Sequence, residues 1–204
     1  MMKTVVGSFD TISEAASAAR DLRAAGFMES DVSVIANNQQ RPVEGTTVTE
    51  PDKMGGTATG IVAGGALGGA AGLAASLMGL AIPGIGPILA AGPIAAALAG
   101  AGAGAIAGGL IGGLTDAGVS ETHAEYYAEA VRRGGALVTV RAEGDRADEA
   151  EAIIRRHGAF DIEDRVTQWK SEGWSGYNPD AEPFSFEEIE RDRTRYSAGP
   201  GLRS

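Results

Sequence analysis

Apolar and polar positions follow three successive regimes along the chain, and each predicts a different kind of element. In the first, residues 4–9 (TVVGSF) and 31–36 (DVSVIA) are short runs rich in β-branched residues, and the second alternates as a strand with one buried face does. Between them Ile12, Ala15, Ala16, Ala19 and Leu22 recur at three- and four-residue steps. That spacing predicts a helix over 13–25, capped by Asp10 or Thr11 and ended by Gly26. Residues 37–53 are polar, hold two prolines and have no period, which predicts an exposed linker. The last regime begins with a helix over 119–133, with Ser120 at its cap. A strand over 136–142 (ALVTVRA), a helix over 146–157 stopped by Gly158, and a last strand over 161–169 follow.

The middle regime has no charge between Lys53 and Asp116 and carries 19 of the 31 glycines. Gly56, Gly60, Gly64, Gly68 and Gly72 form one run at four-residue spacing, and Gly100, Gly104, Gly108 and Gly112 a second. A four-residue step keeps the glycines on one helix face, where missing side chains let a second helix approach closely. Pro83, Gly84, Gly86 and Pro87, within GLAIPGIGP, would turn the chain between the arms, and Pro93 suits the first turn of the second arm. Residues 54–115 therefore predict a glycine-zipper helical hairpin. Arms over 56–78 and 92–114 would each run roughly 35 Å at about 1.5 Å per residue, enough for a bilayer core of about 30 Å. Two crossings return the chain to its starting side. Large apolar side chains are sparse for a membrane span, so burial of the same hairpin inside a soluble homo-oligomer competes with insertion. A flexible linker would mix in serine, threonine and charges, and the segment does not.

Residues 22–36 (LRAAGFMESDVSVIA) lie over 154–169 (IRRHGAFDIEDRVTQW) with a small gap, each giving helix end, glycine, phenylalanine, acidic turn and expected strand. Two β-α-β units interrupted by the hairpin predict an α+β fold of ferredoxin-like arrangement. Its core would hold Leu22, Val32, Val34, Leu137, Val138, Ile153 and Ile154. The expected organisation is 1–36 and 119–169 as the two halves of this domain, 37–53 as linker, 54–115 as hairpin, and 170–204 as an aromatic and acidic tail.

The net charge of −10 argues against nucleic acid and against a polybasic membrane anchor. With no cysteine there is no disulfide, thiolate metal site or cysteine nucleophile, and the first residues carry no secretory signal pattern. His123 and His157 have no partner at metal-ligand spacing and read as surface or helix-end residues. Glu121, Glu125 and Glu129 share a face followed by Arg132 and Arg133, which reads as a solvated, salt-paired face. Tyr126 and Tyr127 read as one core and one interfacial aromatic. GxGxxG-like strings arise only because glycine is dense, and no lysine follows to hold a phosphate. No catalytic set, metal site or cofactor is expected.

Several strings carry a family resemblance: VVGSFDTISEAASAARDLRAAGF, DVSVIAN, IPGIGP at 82–87 with AAGP at 90–93, and EYYxxxVRRGGxLVTV at 125–140. Over about residues 3–169 the chain resembles bacterial general stress proteins with the heat-induced, YflT-type domain, some of them labelled low-temperature-induced proteins. The tail GWSGYNPDAEPFSFEEI is similar to tails on some members. The resemblance implies a role in general stress at the membrane and no enzyme activity, cofactor or catalytic residue. The expectation is a non-enzymatic stress-response protein at the inner membrane, with termini and sheet domain cytoplasmic, self-associating through the glycine faces. The alternative is a soluble homo-oligomeric module whose sheet domain binds a small ligand or protein partner, with the hairpin buried between subunits.

Overall fold

The computed structural model describes residues 2–38, 78–82, 85–100 and 109–197. The first predicted unit forms as expected. Strand β1 (Met2–Phe9) leads into helix α1 (Ile12–Ala24), and β2 (Val32–Asn37) follows a single 3-10 turn at Glu29–Asp31. Thr11 begins α1 with a full capping box, its hydroxyl accepting the Glu14 N–H while the Glu14 carboxylate accepts the Thr11 N–H at 3.1 Å.

The uncharged segment then departs from the expected hairpin of long helices. Met78–Ile82 (β3) and Gly86–Ala91 (β4) are strands, followed by two helices of eight residues, α2 (Pro93–Gly100) and α3 (Gly109–Asp116). Over the described residues each helix runs about 12 Å at about 1.5 Å per residue, well short of a bilayer core. No helix among the described residues is long and apolar enough to cross a membrane. The membrane-spanning second arm over 92–114, and the inner-membrane placement that depended on it, are corrected accordingly. The GLAIPGIGP stretch turns the chain, but between strands: Gly86 pairs with Ile82 and Pro87 with Ala81 in an antiparallel hairpin.

Helix α4 (Glu121–Arg132), strand β5 (Ala136–Glu143) and helix α5 (Asp145–Arg156) match the expected pattern. The next segment does not. Residues 162–171 form helix α6 (Ile162–Ser171), so the last strand expected over 161–169 is replaced and the second β-α-β unit of a ferredoxin-like arrangement is not completed. Asp161 caps this helix, accepting the N–H groups of Glu163 and Asp164. Ile162, Val166 and Trp169 are buried at four- and three-residue steps, a helical period. One trace of strand remains, a bridge between Ser8 and Phe160 on the outer edge of β1. A final helix, α7 (Phe186–Ser197), lies in the tail.

The chain is thus α+β, with a five-stranded antiparallel sheet in the order β1-β5-β2-β4-β3. β1 and β2 both run against β5, which lies between them, and α1 is the crossover that joins them. Alternation divides the sheet into two buried faces. Val5, Val34 and Val138 pack with Leu22 of α1 and Ile153 and Ile154 of α5. Ile35, Leu137 and Ile88 pack on the opposite face with Ile94, Leu110, Leu114 and Val131. Leu137, expected beside Val138, necessarily lies on the other face. The described residues of the uncharged segment, 78–82, 85–100 and 109–115, therefore build one side of the sheet and much of its second layer.

Candidate functional site

The glycines of the expected zipper divide by location. Gly56, Gly60, Gly64, Gly68, Gly72, Gly104 and Gly108 lie outside the described residues, as do Pro83 and Gly84 of the turn. Gly100 ends α2. At Gly112, on α3, a Cβ would meet nothing within 4 Å, whereas at Gly113 it would approach Ile94 Cγ2 at 3.3 Å. Among the described residues Gly113 is thus the glycine of α3 that lies against α2.

The densest polar chemistry lies instead where α4 ends, beneath the tail. Gly134 takes a positive φ of 93°, and the Gly134 and Gly135 N–H groups donate to the carbonyls of Val131 and Ala130, turning the chain sharply into β5. A Cβ on Gly134 would lie 2.3 Å from Ile189 Cγ2, so the bare glycine forms a notch for a tail side chain that is 1 % exposed. Helix α7 starts with a capping box in which Ser185 donates its N–H and hydroxyl to Glu188 Oε2, both at 2.8 Å. These bonds hold the Glu188 carboxyl below the usual carboxylate range.

Glu129 is fully buried, which corrects the solvated face expected for the three glutamates. It accepts from Arg132 Nε at 2.9 Å and Nη2 at 3.0 Å, and from Arg133 Nε at 2.6 Å. Arg133 continues to Asp192 Oδ2 at 2.9 Å and stacks over Trp169 and Phe184 at 4.8 and 4.9 Å. Arg132 donates to the Glu182 carbonyl at 3.0 Å and also covers Phe184. Nearby, Arg165 grips Asp10 with both terminal nitrogens, at 3.0 and 3.2 Å, between the rings of Phe160 and Tyr196. The tail is thereby fixed to the domain by charge-assisted bonds and cation–π contacts.

A cavity of about 230 Å³ opens beside this network, lined by Arg133, Trp169, Trp174, Phe184, Arg191 and Arg195 together with Glu172, Glu188 and Asp192. A smaller void of about 20 Å³, about one water in size, adjoins it between Arg133, Arg165 and Tyr196. The Trp169 and Trp174 indole nitrogens are buried without a hydrogen-bond partner, and their rings meet edge to face at 5.8 Å. The sequence reading missed this site. Two signals were present: the Ser-x-x-Glu box at 185–188 and the helical spacing of Ile162, Val166 and Trp169.

Tyr196 donates to Glu172 Oε2 at 3.0 Å, and its pKa is raised to about 12, first by burial and then by that bond. A raised pKa means that the folded state holds the phenolic proton more tightly than the unfolded chain. The resulting stability is complete below pH 10 and is lost as pH rises from 10 to about 12. Tyr127 is also raised to about 12, by burial, Asp161 and Glu163, and contributes in the same window. The urea midpoint is expected to fall between pH 10 and 12, and less steeply in Tyr196→Phe. Equal pH slopes in the two proteins would show that Tyr196 does not anchor the tail.

A second cluster brings together residues the sequence reading kept apart. Ser120 Oγ lies 2.7 Å from His123 Nδ1, and His123 Nε2 lies 3.2 Å from Glu163 Oε1. The order resembles a nucleophile, base and acid, but the setting is that of a helix cap: Ser120 Oγ accepts the His123 N–H at the start of α4. The His123 and Glu163 side chains are 40 % and 72 % exposed, and neither described cavity is lined by this cluster. Among the described residues the cluster stands open to solvent, as a helix cap does. His157 ends α5 and pairs with Asp21 of α1 at 2.8 Å. Among the described residues no group of three acidic, histidine or cysteine side chains is placed to hold a metal. Comparison with protein-family models, with curated proteins and with solved structures finds no match.

Proposed function

We propose that this protein is a non-enzymatic binding module of a bacterial general stress response, and that the sheet domain and its docked tail together hold a small ligand. The stress role rests on the resemblance in the 82–93 and 125–140 strings. The binding role is supported by one observation above the others: the 230 Å³ cavity between α4, α6 and α7, walled by Trp169, Trp174 and Phe184 and bordered by Arg133, Arg191 and Arg195. Aromatic walls with a few charged groups at the rim are the ordinary make-up of a small-molecule site. The cavity is at the small end of ligand sites, which favours a molecule of metabolite size.

The test is thermal unfolding of the full chain against a panel of small anionic, cationic and neutral compounds. A compound present at a hundredfold excess over its Kd adds about 2.7 kcal/mol, which is expected to raise Tm by about 5 °C or more. A flat response across all three classes would remove the binding reading.

A further inference from the structure

We infer that the C-terminal helix is a movable lid: α7 leaves the end of α4 as a unit, opens the cavity beneath it, and leaves the sheet domain folded. What enters rests on the binding reading above; the lid assigns how entry is controlled. Its place follows from the walls of the two voids. Glu188, Arg191, Asp192 and Arg195 of α7 form one side of the larger void, and Arg133, Trp169 and Trp174 belong to the domain beneath. The smaller void takes Asp192, Arg193 and Tyr196 from the same helix. Without α7 both voids lose a wall, and both of them touch Trp169.

The contacts of α7 separate it from the rest of the fold. Among its described side chains only Ile189 and Asp192 are buried, the first in the Gly134 notch and the second on Arg133. The other bonds are polar and lie towards the surface. Arg193 Nη2 donates to the Gly134 carbonyl at 3.3 Å, and Arg195 and Tyr196 both reach Glu172 Oε2 at 3.0 Å. Water can replace such bonds at modest cost. The cores on the two faces of the sheet hold no residue of 184–197. Opening therefore gives up one buried aliphatic side chain and a few side-chain bonds, and none of the packing on the sheet. Segments held in this way open at lower free energy than the whole domain unfolds, and lids are drawn from them. The hinge is equally local. Tyr177 packs against the second core and Phe184 moves with the arginine-bound tail, while 178–180, 182 and 183 between them are exposed. Trp174 stays behind, its N–H donating to the Trp169 carbonyl at 2.9 Å and its ring set against Tyr126.

Trp169 and Trp174 are the two tryptophans of the chain and both line the larger void, so tryptophan emission reports the lid without any ligand. Acrylamide, a small neutral quencher, reads access to them in the full chain. Ile189→Ala combined with Asp192→Asn removes the notch contact and the charge that Arg133 holds. This double variant is expected to raise the quenching constant by about twofold or more while keeping a cooperative urea transition by circular dichroism. Glu187→Gln, at an exposed position on the same helix, is expected to quench as the parent does. Tryptophans as shielded in the double variant as in the parent overturn the lid. Increased quenching accompanied by loss of the cooperative transition also overturns it, because α7 would then belong to the core. An equal rise in Glu187→Gln does the same, since that change touches neither anchor. Uncovered tryptophans in a cooperatively folding double variant, together with a flat thermal panel, uphold the lid and remove only the ligand.

Discussion

Gly92→Ala is expected to destabilise the protein by about 3 kcal/mol or more, a large share of the stability of a typical domain. Gly92 stands at the corner where β4 ends and α2 begins, with φ of 91°. An L-residue there carries about 1–2 kcal/mol of backbone strain. The added Cβ would also lie 2.2 Å from the Val32 carbonyl oxygen and 2.7 Å from Ser33 Cα, atoms of the neighbouring strand. Those atoms cannot retreat cheaply. Val34 pairs with Ala91 in the ladder, Ile94 donates its N–H to Ser33 Oγ at 3.2 Å, and the Gly92 carbonyl accepts the Ala96 N–H at 3.1 Å. Overpacking of this kind adds about 1–3 kcal/mol. Gly112→Ala is the control: its Cβ would enter open space on a helix, so the change is expected to be neutral or stabilising by up to about 1 kcal/mol. A glycine zipper makes a different forecast, with Gly112, a member of its run, intolerant of the change. Urea midpoints of the two variants decide between them, and a parent-like Gly92→Ala would remove the corner from this account.

The contrast between Gly92 and Gly112 shows how far the chain could be read. Elements whose period ends at a cap or terminator are legible in the sequence: Thr11 and Gly26 bound α1, Ser120 and Gly134 bound α4, and Gly158 follows α5. The uncharged segment lacked polar residues to mark a face, so its periodic signal came from glycine alone. A four-residue glycine step fits a helix, but a short apolar run such as 86–91 fits a buried strand equally well. The neighbouring sheet decided, because β2 needs an antiparallel partner on the side away from β5. The repeated frame misled for a related reason. Residues 22–36 and 154–169 share a glycine at φ of 87° and a phenylalanine, and an arginine covers each ring, Arg146 of α5 over Phe27 and Arg165 over Phe160. They diverge after it, since Val32, Val34 and Ala36 alternate while Ile162, Val166 and Trp169 do not. The site under the tail was least legible because it joins residues 10, 129–133, 165–174 and 184–196. No local spacing expresses that conjunction.

Glu129→Gln is expected to cost about 3–5 kcal/mol and to loosen the tail before the sheet domain unfolds. The carboxylate is 0 % exposed and holds three N–H donors from two guanidinium groups that are themselves only 11 % and 13 % exposed. Removing one member of a buried ionic cluster leaves the others desolvated without compensation, which is where the cost arises. Arg132 would retain the Glu182 carbonyl and the Phe184 face, and Arg133 would retain Asp192, so the remaining positive charge is shared with the tail. An amide offers one carbonyl acceptor and turns an NH2 group towards a cation, so preserving the shape does not preserve the interaction. Glu121→Gln, at an exposed position two helical turns earlier on α4, is expected to change stability by less than about 0.5 kcal/mol. Urea unfolding gives the global difference, and the rate of proteolysis within residues 173–197 reports the tail. Loss of stability with an unchanged tail rate would make Glu129 a core anchor only. Parent-like stability in Glu129→Gln would mean that the arginines hold the tail without it, through Asp192, the Glu182 carbonyl and the rings of Phe184 and Trp169.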